Sequence, residues 1–305
     1  MQQVTYAGWE HCYRLANDQI EAIVTADVGP RIIRFGFIGE GNEFGEYTAW
    51  LGKTGGTDWR NYGGHRLWHA PEVNPRTTAP DNDPVIVEEH GTWARFIQPV
   101  EPSTGIQKEM DIRIAPQAAR IEVLHRLRNH NLWAVELAPW ALSVMATGGV
   151  AVIPLPARGS HTEKLLPQST LALWAYTDMA DPRWTWGTRY VLLRQDSQAH
   201  TPQKAGFAVP DGWAAYARAG HLFVITFAHT PQATYPDMGS NVETFTDAQM
   251  LEIETLGPLT RLEPGATVEH VEQWHLFRNT PVPQTDSDVV THILPHVQVA
   301  LSARS

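Results

Sequence analysis

Two short runs near the end of the chain, MLEIET from Met250 and HVEQW from His270, carry acidic side chains at alternate positions. In an extended strand successive side chains point to opposite faces. Glu252 and Glu254 therefore share one face, and Leu251, Ile253 and Thr255 share the other. The same parity groups His270, Glu272 and Trp274. A sheet that only builds a core has no use for repeated carboxylates. On a concave, wet sheet they can take up and return protons or hydrogen-bond hydroxyls. The expectation is that Glu252, Glu254, His270 and Glu272 line one concave sheet, on neighbouring strands. A second dense stretch, GGHRLWHAPE, spans residues 63–72. Gly63 and Gly64 free the backbone to turn sharply, and the stretch reads as a loop that walls the same cleft with His65, Arg66 and Trp68 turned inward.

The elements that must hold these residues are marked by turn residues. Asp27-Val28-Gly29-Pro30 separates a strand from Ile20 to Thr25 from one running Arg31 to Phe37, an early hairpin. Ile106, Lys108, Met110, Ile112 and Ile114 alternate with Gln107, Glu109, Asp111 and Arg113, an antiparallel signal. Gly257-Pro258 and Glu263-Pro264-Gly265-Ala266 turn the chain around the acidic runs. Residues 156–187 read as long loops, and Val289 to Leu301 as an edge strand or a short helix. Many short strands, no long amphipathic helix and no linker give one all-β domain over residues 1–305, a large antiparallel β-sandwich.

Composition narrows the partners. The 305 residues carry a net charge of −10 with no run of Lys or Arg, which disfavours nucleic acid and anionic membrane. Cys12 is the only cysteine, so disulfides and thiolate metal sites are excluded. The start of the chain has no basic segment followed by an apolar run, and no stretch is apolar enough to span a bilayer, so a cytoplasmic protein is expected. Oligomeric state is open.

Four segments together resemble the galactose mutarotase-like superfamily, the fold of aldose 1-epimerases: DVGPRIIRFGF, GGHRLWHAPE, RNHNLWAVELAPWALSVMATGG and ETFTDAQMLEIETLGPLTRLEPGATVEHVEQWHLF. Their order carries the resemblance from Trp9 to Phe277, most like members of the superfamily without a characterised activity. It implies a β-supersandwich whose concave sheet binds a saccharide. It also implies a carboxylate base and a histidine acid acting at the anomeric centre. Glu254 stands where the base would be, with Glu252 as its rival; Trp140 stands near the histidine's position, leaving His65 or His69 to supply the acid.

Other residues carry two readings each. Trp68, Trp140, Trp174, Trp184 and Trp186 could stack on sugar faces or fill the core. Arg66 and Lys108 could donate to sugar hydroxyls or a carboxylate, Lys108 equally being a solvated strand residue. His65, His69 and Glu72 suit a transition ion; Asp237, Asn241 and Glu243 offer the oxygens calcium prefers but also form turns. No cofactor is expected, and a divalent cation is left open. No phosphate loop, nucleophile elbow or Ser-His-Asp order is present. Three functions stay open: an enzyme of the aldose 1-epimerase type, a carbohydrate-binding protein that kept the cleft without the chemistry, and a polysaccharide lyase or glycoside hydrolase built on the same carboxylates.

Overall fold

Alternating burial runs through the chain, and it pairs strands into two antiparallel sheets. The computed structural model describes residues 1–304. In the first sheet the order is Gln2–Tyr6, Trp9–Ala16, Ile20–Thr25, Arg31–Phe37, His65–Ala70, Val135–Met145, Leu251–Leu256, Val242–Thr246, Gln203–Phe207 and Leu171–Leu173, with Thr260–Leu262 beside the start of Val135–Met145. In the second the order is Trp184–Trp186, Tyr190–Arg194, Val150–Pro154, Trp213–Arg218, His221–Phe227, Thr267–Phe277, Arg120–Asn129, Ile106–Ile114, Ala94–Ile97 and Ile86–Glu89. The two sheets face each other across one apolar layer, an all-β sandwich. At its middle the rings of Phe35, Phe44, Phe223 and Trp274 meet at centroid distances of 5.4 to 6.1 Å. Each such pair adds about 0.5–1.5 kcal/mol beyond the area it buries.

Three points matter where the structure departs from the sequence reading or decides between its alternatives. The first is at the N-terminus, where Gln2–Tyr6 and Trp9–Ala16 form a further hairpin. The second is the tail, which is helical: a π-helical turn, Val289–Ile293, leads into Leu294–Ser302. Val289, Ile293, Val297 and Ala300 recur at helical spacing and cover the outer, apolar face of the second sheet. Among the described residues, no helix is long and apolar enough to cross a membrane.

The third departure decides the site. GGHRLWHAPE is not a loop: His65–Ala70 is a fully buried strand in the middle of the first sheet. Only its entry turns sharply. Gly63 and Gly64 sit at φ +88° and +67°, and a Cβ on Gly63 would lie 2.0 Å from the Gly45 carbonyl oxygen. Gly63→Ala is therefore expected to lower unfolding free energy by roughly 1–3 kcal/mol, the usual cost of a strained backbone position. Urea unfolding measures it; a change under about 0.5 kcal/mol would mean that the backbone relaxes freely here.

Candidate functional site

Strand parity assembles the site on the outer face of the first sheet. In His65–Ala70, Leu67 joins the layer between the sheets, so Arg66 and Trp68 point the other way. Across the register Trp140 lies opposite Trp68 and Leu142 opposite Arg66; on the next strand Leu142 pairs with Glu254 and Val144 with Glu252. Glu254 then opposes Glu243, Glu252 opposes Phe245, and Phe245 opposes Lys204. One face thus carries Arg66, Trp68, Trp140, Glu252, Glu254, Glu243 and Lys204.

A cleft of about 180 Å³ opens there, lined by Trp59, Asn61, Arg66, Trp68, Glu72, Trp140, Tyr176, Lys204, Phe245 and Glu252, among others. Its size is below the ~300–1,000 Å³ of sites that enclose a drug-sized molecule, so it suits a small, partly covered ligand. Trp68 stands between Trp59 and Trp140, at centroid distances of 6.0 and 5.4 Å. The Arg66 guanidinium lies 4.4 Å above the Trp68 ring and donates from Nη2 to Glu252 Oε1 at 2.9 Å. Its Nε and Nη1 are buried and donate to no protein group. A larger hollow, about 480 Å³, lies by Pro154, Arg158, Thr188, Asp211 and Trp213 at the second sheet. Arg158, Thr188, Arg189 and Asp211 in its lining are exposed, and of the lining side chains with a polar group only Tyr190 and Trp213 are buried.

Beneath the cleft floor sits a dry ionic cluster. Lys204 Nζ is 2.8 Å from Glu243 Oε2 and 2.9 Å from Glu254 Oε2, between the rings of Trp140 and Trp174 at 4.7 and 4.8 Å. Trp140 Nε1 also donates to Glu254 Oε2 at 2.9 Å. Burial alone would lower the Lys204 pKa; the attraction of Glu254 and Glu243 outweighs it, and the pKa is raised. For Glu243, burial, with repulsion from Glu254 added, raises the pKa well above the usual range despite Lys204. Burial and the neighbouring Glu254 thus both favour a proton on Glu243, and Lys204 opposes them. Glu252 is raised as well, by burial first, with Arg66 opposing.

The expected site residues divide by face. Arg66, Trp68, Trp140, Glu72 and Glu252 line the cleft. Glu254 and Glu243 lie under it, both 0% exposed, so Glu252 rather than Glu254 is the carboxylate that lines the opening. His270 and Glu272 do not share that face. Their strand, Thr267–Phe277, belongs to the second sheet, and both side chains reach Thr255 from across the sandwich. His65 points into the same interior and bonds His125, because its parity is opposite to that of Arg66. His69 also leaves the cleft: it faces Glu101 at 3.6 Å. His65 and His69 cannot close on one ion with Glu72, since four residues of strand separate them by about 13 Å and Glu72 is on the cleft side. Among the described residues no histidine lines the cleft. Asn241 is committed to the Val209 backbone and Glu243 to Lys204, so the oxygen set with Asp237, in the turn Pro236–Gly239, does not converge. Trp184 and Trp186 stack on each other in the second sheet.

Lys108 is neither solvated nor at the cleft. It is buried in the second sheet, 2.5 Å from Glu101. Burial pushes the Glu101 carboxyl up, but Lys108 and then His69 outweigh it, and the pKa falls from 4.5 to about 2. A carboxylate with a lowered folded pKa stabilises above its unfolded value and loses that contribution as the pH falls through the folded one. At ~1.4 kcal/mol per unit this amounts to about 3 kcal/mol. Glu101→Gln should accordingly differ most from the parent at pH 7, and the gap should close towards pH 2. A gap independent of pH would contradict the pairing.

No family model matches this chain, and no curated protein matches it by sequence. Solved structures do match in fold. A candidate aldose 1-epimerase from Klebsiella pneumoniae superposes with a TM-score of 0.60 at 11% identity, over 97% of this chain and 86% of that one. A Synechocystis protein gives 0.58 at 10% identity, over 91% and 100%. A galactose mutarotase-like protein from Lactobacillus casei gives 0.55 at 11%, over 87% and 100%. The chain has the galactose mutarotase-like fold, as the order of its segments implies.

Proposed function

We propose that the cleft on the first sheet binds a saccharide, and that the protein is a carbohydrate-binding protein of the galactose mutarotase-like fold. The observation that carries this reading is Arg66, a buried guanidinium on a tryptophan face with Nε and Nη1 unpaired. A buried donor without a partner costs about 1–3 kcal/mol, and a small turn of the Arg66 side chain towards the cleft would let a ligand hydroxyl recover it. Trp59, 38% exposed, offers the flat apolar surface that a sugar ring's C–H face needs, with Trp68 and Trp140 packed behind it. Glu72, Glu252 and Lys204 add further acceptors and a donor. The fold is shared with structures described as galactose mutarotase-like, which is consistent with this ligand class.

A second reading, proton transfer at the anomeric centre, rests on Glu252. It is in the cleft and its pKa is raised by burial, as a general base requires. An imidazole acid has no counterpart among the cleft residues, so binding without turnover is the preferred function. The test is tryptophan-fluorescence titration with monosaccharides and short oligosaccharides, paired with NMR of anomer interconversion for every sugar that binds. Saturable binding with interconversion no faster than in buffer is expected. Accelerated interconversion that disappears in Glu252→Gln would establish the second reading instead. Binding to none of the sugars would remove both.

A further inference from the structure

We propose that the interior of the sandwich contains a structural site for one divalent transition ion of the zinc class, built from His65, His125 and Glu272. It is separate from the cleft and independent of the saccharide reading. The three residues come from three strands: His65–Ala70 of the first sheet, and Arg120–Asn129 and Thr267–Phe277 of the second. All three are 0% exposed. Their ligand atoms lie within 4.8 Å of one another: His65 Nε2 is 2.7 Å from His125 Nε2 and 3.8 Å from Glu272 Oε2.

Each residue is also held from behind, as metal ligands are. His125 Nδ1 donates to the His270 carbonyl at 3.0 Å, which puts the ring proton on Nδ1 and leaves a lone pair on Nε2. His65 Nδ1 is 2.9 Å from Ser143 Oγ, a hydroxyl that can accept its proton and free Nε2 in the same way. Glu272 is oriented by Trp274 Nε1, 2.8 Å from Oε2, and by the Thr255 hydroxyl on Oε1.

Without an ion these groups can still form a chain, Ser143 to His65 to His125 to the His270 carbonyl. That chain leaves a fully buried carboxylate whose only ion-pair partners among the described residues are the imidazoles of His65 and His270, at 3.8 and 3.9 Å. A dication supplies the charge that position calls for. Two imidazoles and a carboxylate are a donor set that suits zinc, and a water trapped on folding would complete the four ligands of a tetrahedral site. Zinc–nitrogen bonds of about 2.0–2.1 Å set tetrahedral ligands about 3.3 Å apart. Loading therefore spreads the two rings by about half an ångström and draws Glu272 in. With no path to solvent the ion would tie the two sheets together rather than act on a substrate.

The test uses the full chain, refolded from urea with one equivalent of Co(II) or Zn(II), or with a chelator. One ion per chain after desalting is expected, with a higher Tm than the chelator-treated protein and visible absorption typical of tetrahedral Co(II). In the Co(II) form two strongly shifted imidazole N–H proton resonances, resistant to exchange, should identify His65 and His125 without any substitution. His125→Gln should lose the ion, and the surface control His200→Gln should keep it. Less than a tenth of an ion per refolded wild-type chain would overturn the proposal. So would Co(II) that leaves no shifted protected N–H, or that binds His125→Gln as well as wild type.

Discussion

Lys204→Met is expected to lower the unfolding free energy by about 3–5 kcal/mol at pH 7, the cost of breaking a buried ion pair from one side. The substitution keeps the stem between Trp140 and Trp174 and removes only the ammonium that lies 2.8 and 2.9 Å from Glu243 and Glu254. Glu254 Oε1 has no hydrogen-bond partner, so in the variant its charge would rest on the Trp140 indole alone. With the ammonium gone, burial, which already raises the Glu243 pKa, holds that folded pKa above the unfolded one. Stability lost at pH 7 is thus regained as the pH falls below the ordinary carboxylate range, the reverse of the Glu101 behaviour. Urea unfolding at pH 7 and pH 4 separates the two. A variant within about 1 kcal/mol of the parent at pH 7 would mean that the cluster is hydrated and contributes little.

Arg66→Ala should weaken saccharide binding by at least tenfold and towards a hundredfold while the protein stays folded at room temperature. Hydrogen bonds from a charged donor are worth about 1.5–3 kcal/mol, and each ~1.4 kcal/mol is a factor of ten in Kd. The guanidinium also fixes Glu252 through the 2.9 Å contact from Nη2, so its removal loosens a second polar group of the cleft. Arg66→Lys keeps the charge but not the fork or the stacked plane, and should fall in between. Binding within threefold of wild type in Arg66→Ala would remove this side chain from the site.

Period-two alternation carried most of the fold. Ile20–Thr25, Arg31–Phe37 and Ile106–Ile114 have the bounds that turn residues and alternation suggest. His65–Ala70 was misread because its inner and outer residues are both chemically dense, so polar alternation looked like a loop. Parity then separates Arg66 from His65, a distinction invisible unless the segment is taken as a strand. Glu272 was placed beside Glu254 because their runs are close in sequence. The turn after Leu262, Glu263-Pro264-Gly265-Ala266, carries the chain across to the other sheet, and no local pattern states which sheet a strand joins. Lys204 carries a signal of its own, a lone Lys between Gln203 and Ala205 in a short apolar run. His125, sharing parity with Ile121, Val123 and Leu127, carried the same kind of signal: a polar side chain on a buried face must find a partner.

The most direct test of the cleft assignment is a crystal structure of the protein with the tightest-binding saccharide from the titration panel. The sugar ring should lie against Trp59, Trp68 and Trp140, with a hydroxyl oxygen within hydrogen-bond distance of Arg66 Nε or Nη1 and another beside Glu252. A saccharide bound instead in the hollow by Pro154 and Trp213, with Arg66 untouched, would contradict the assignment.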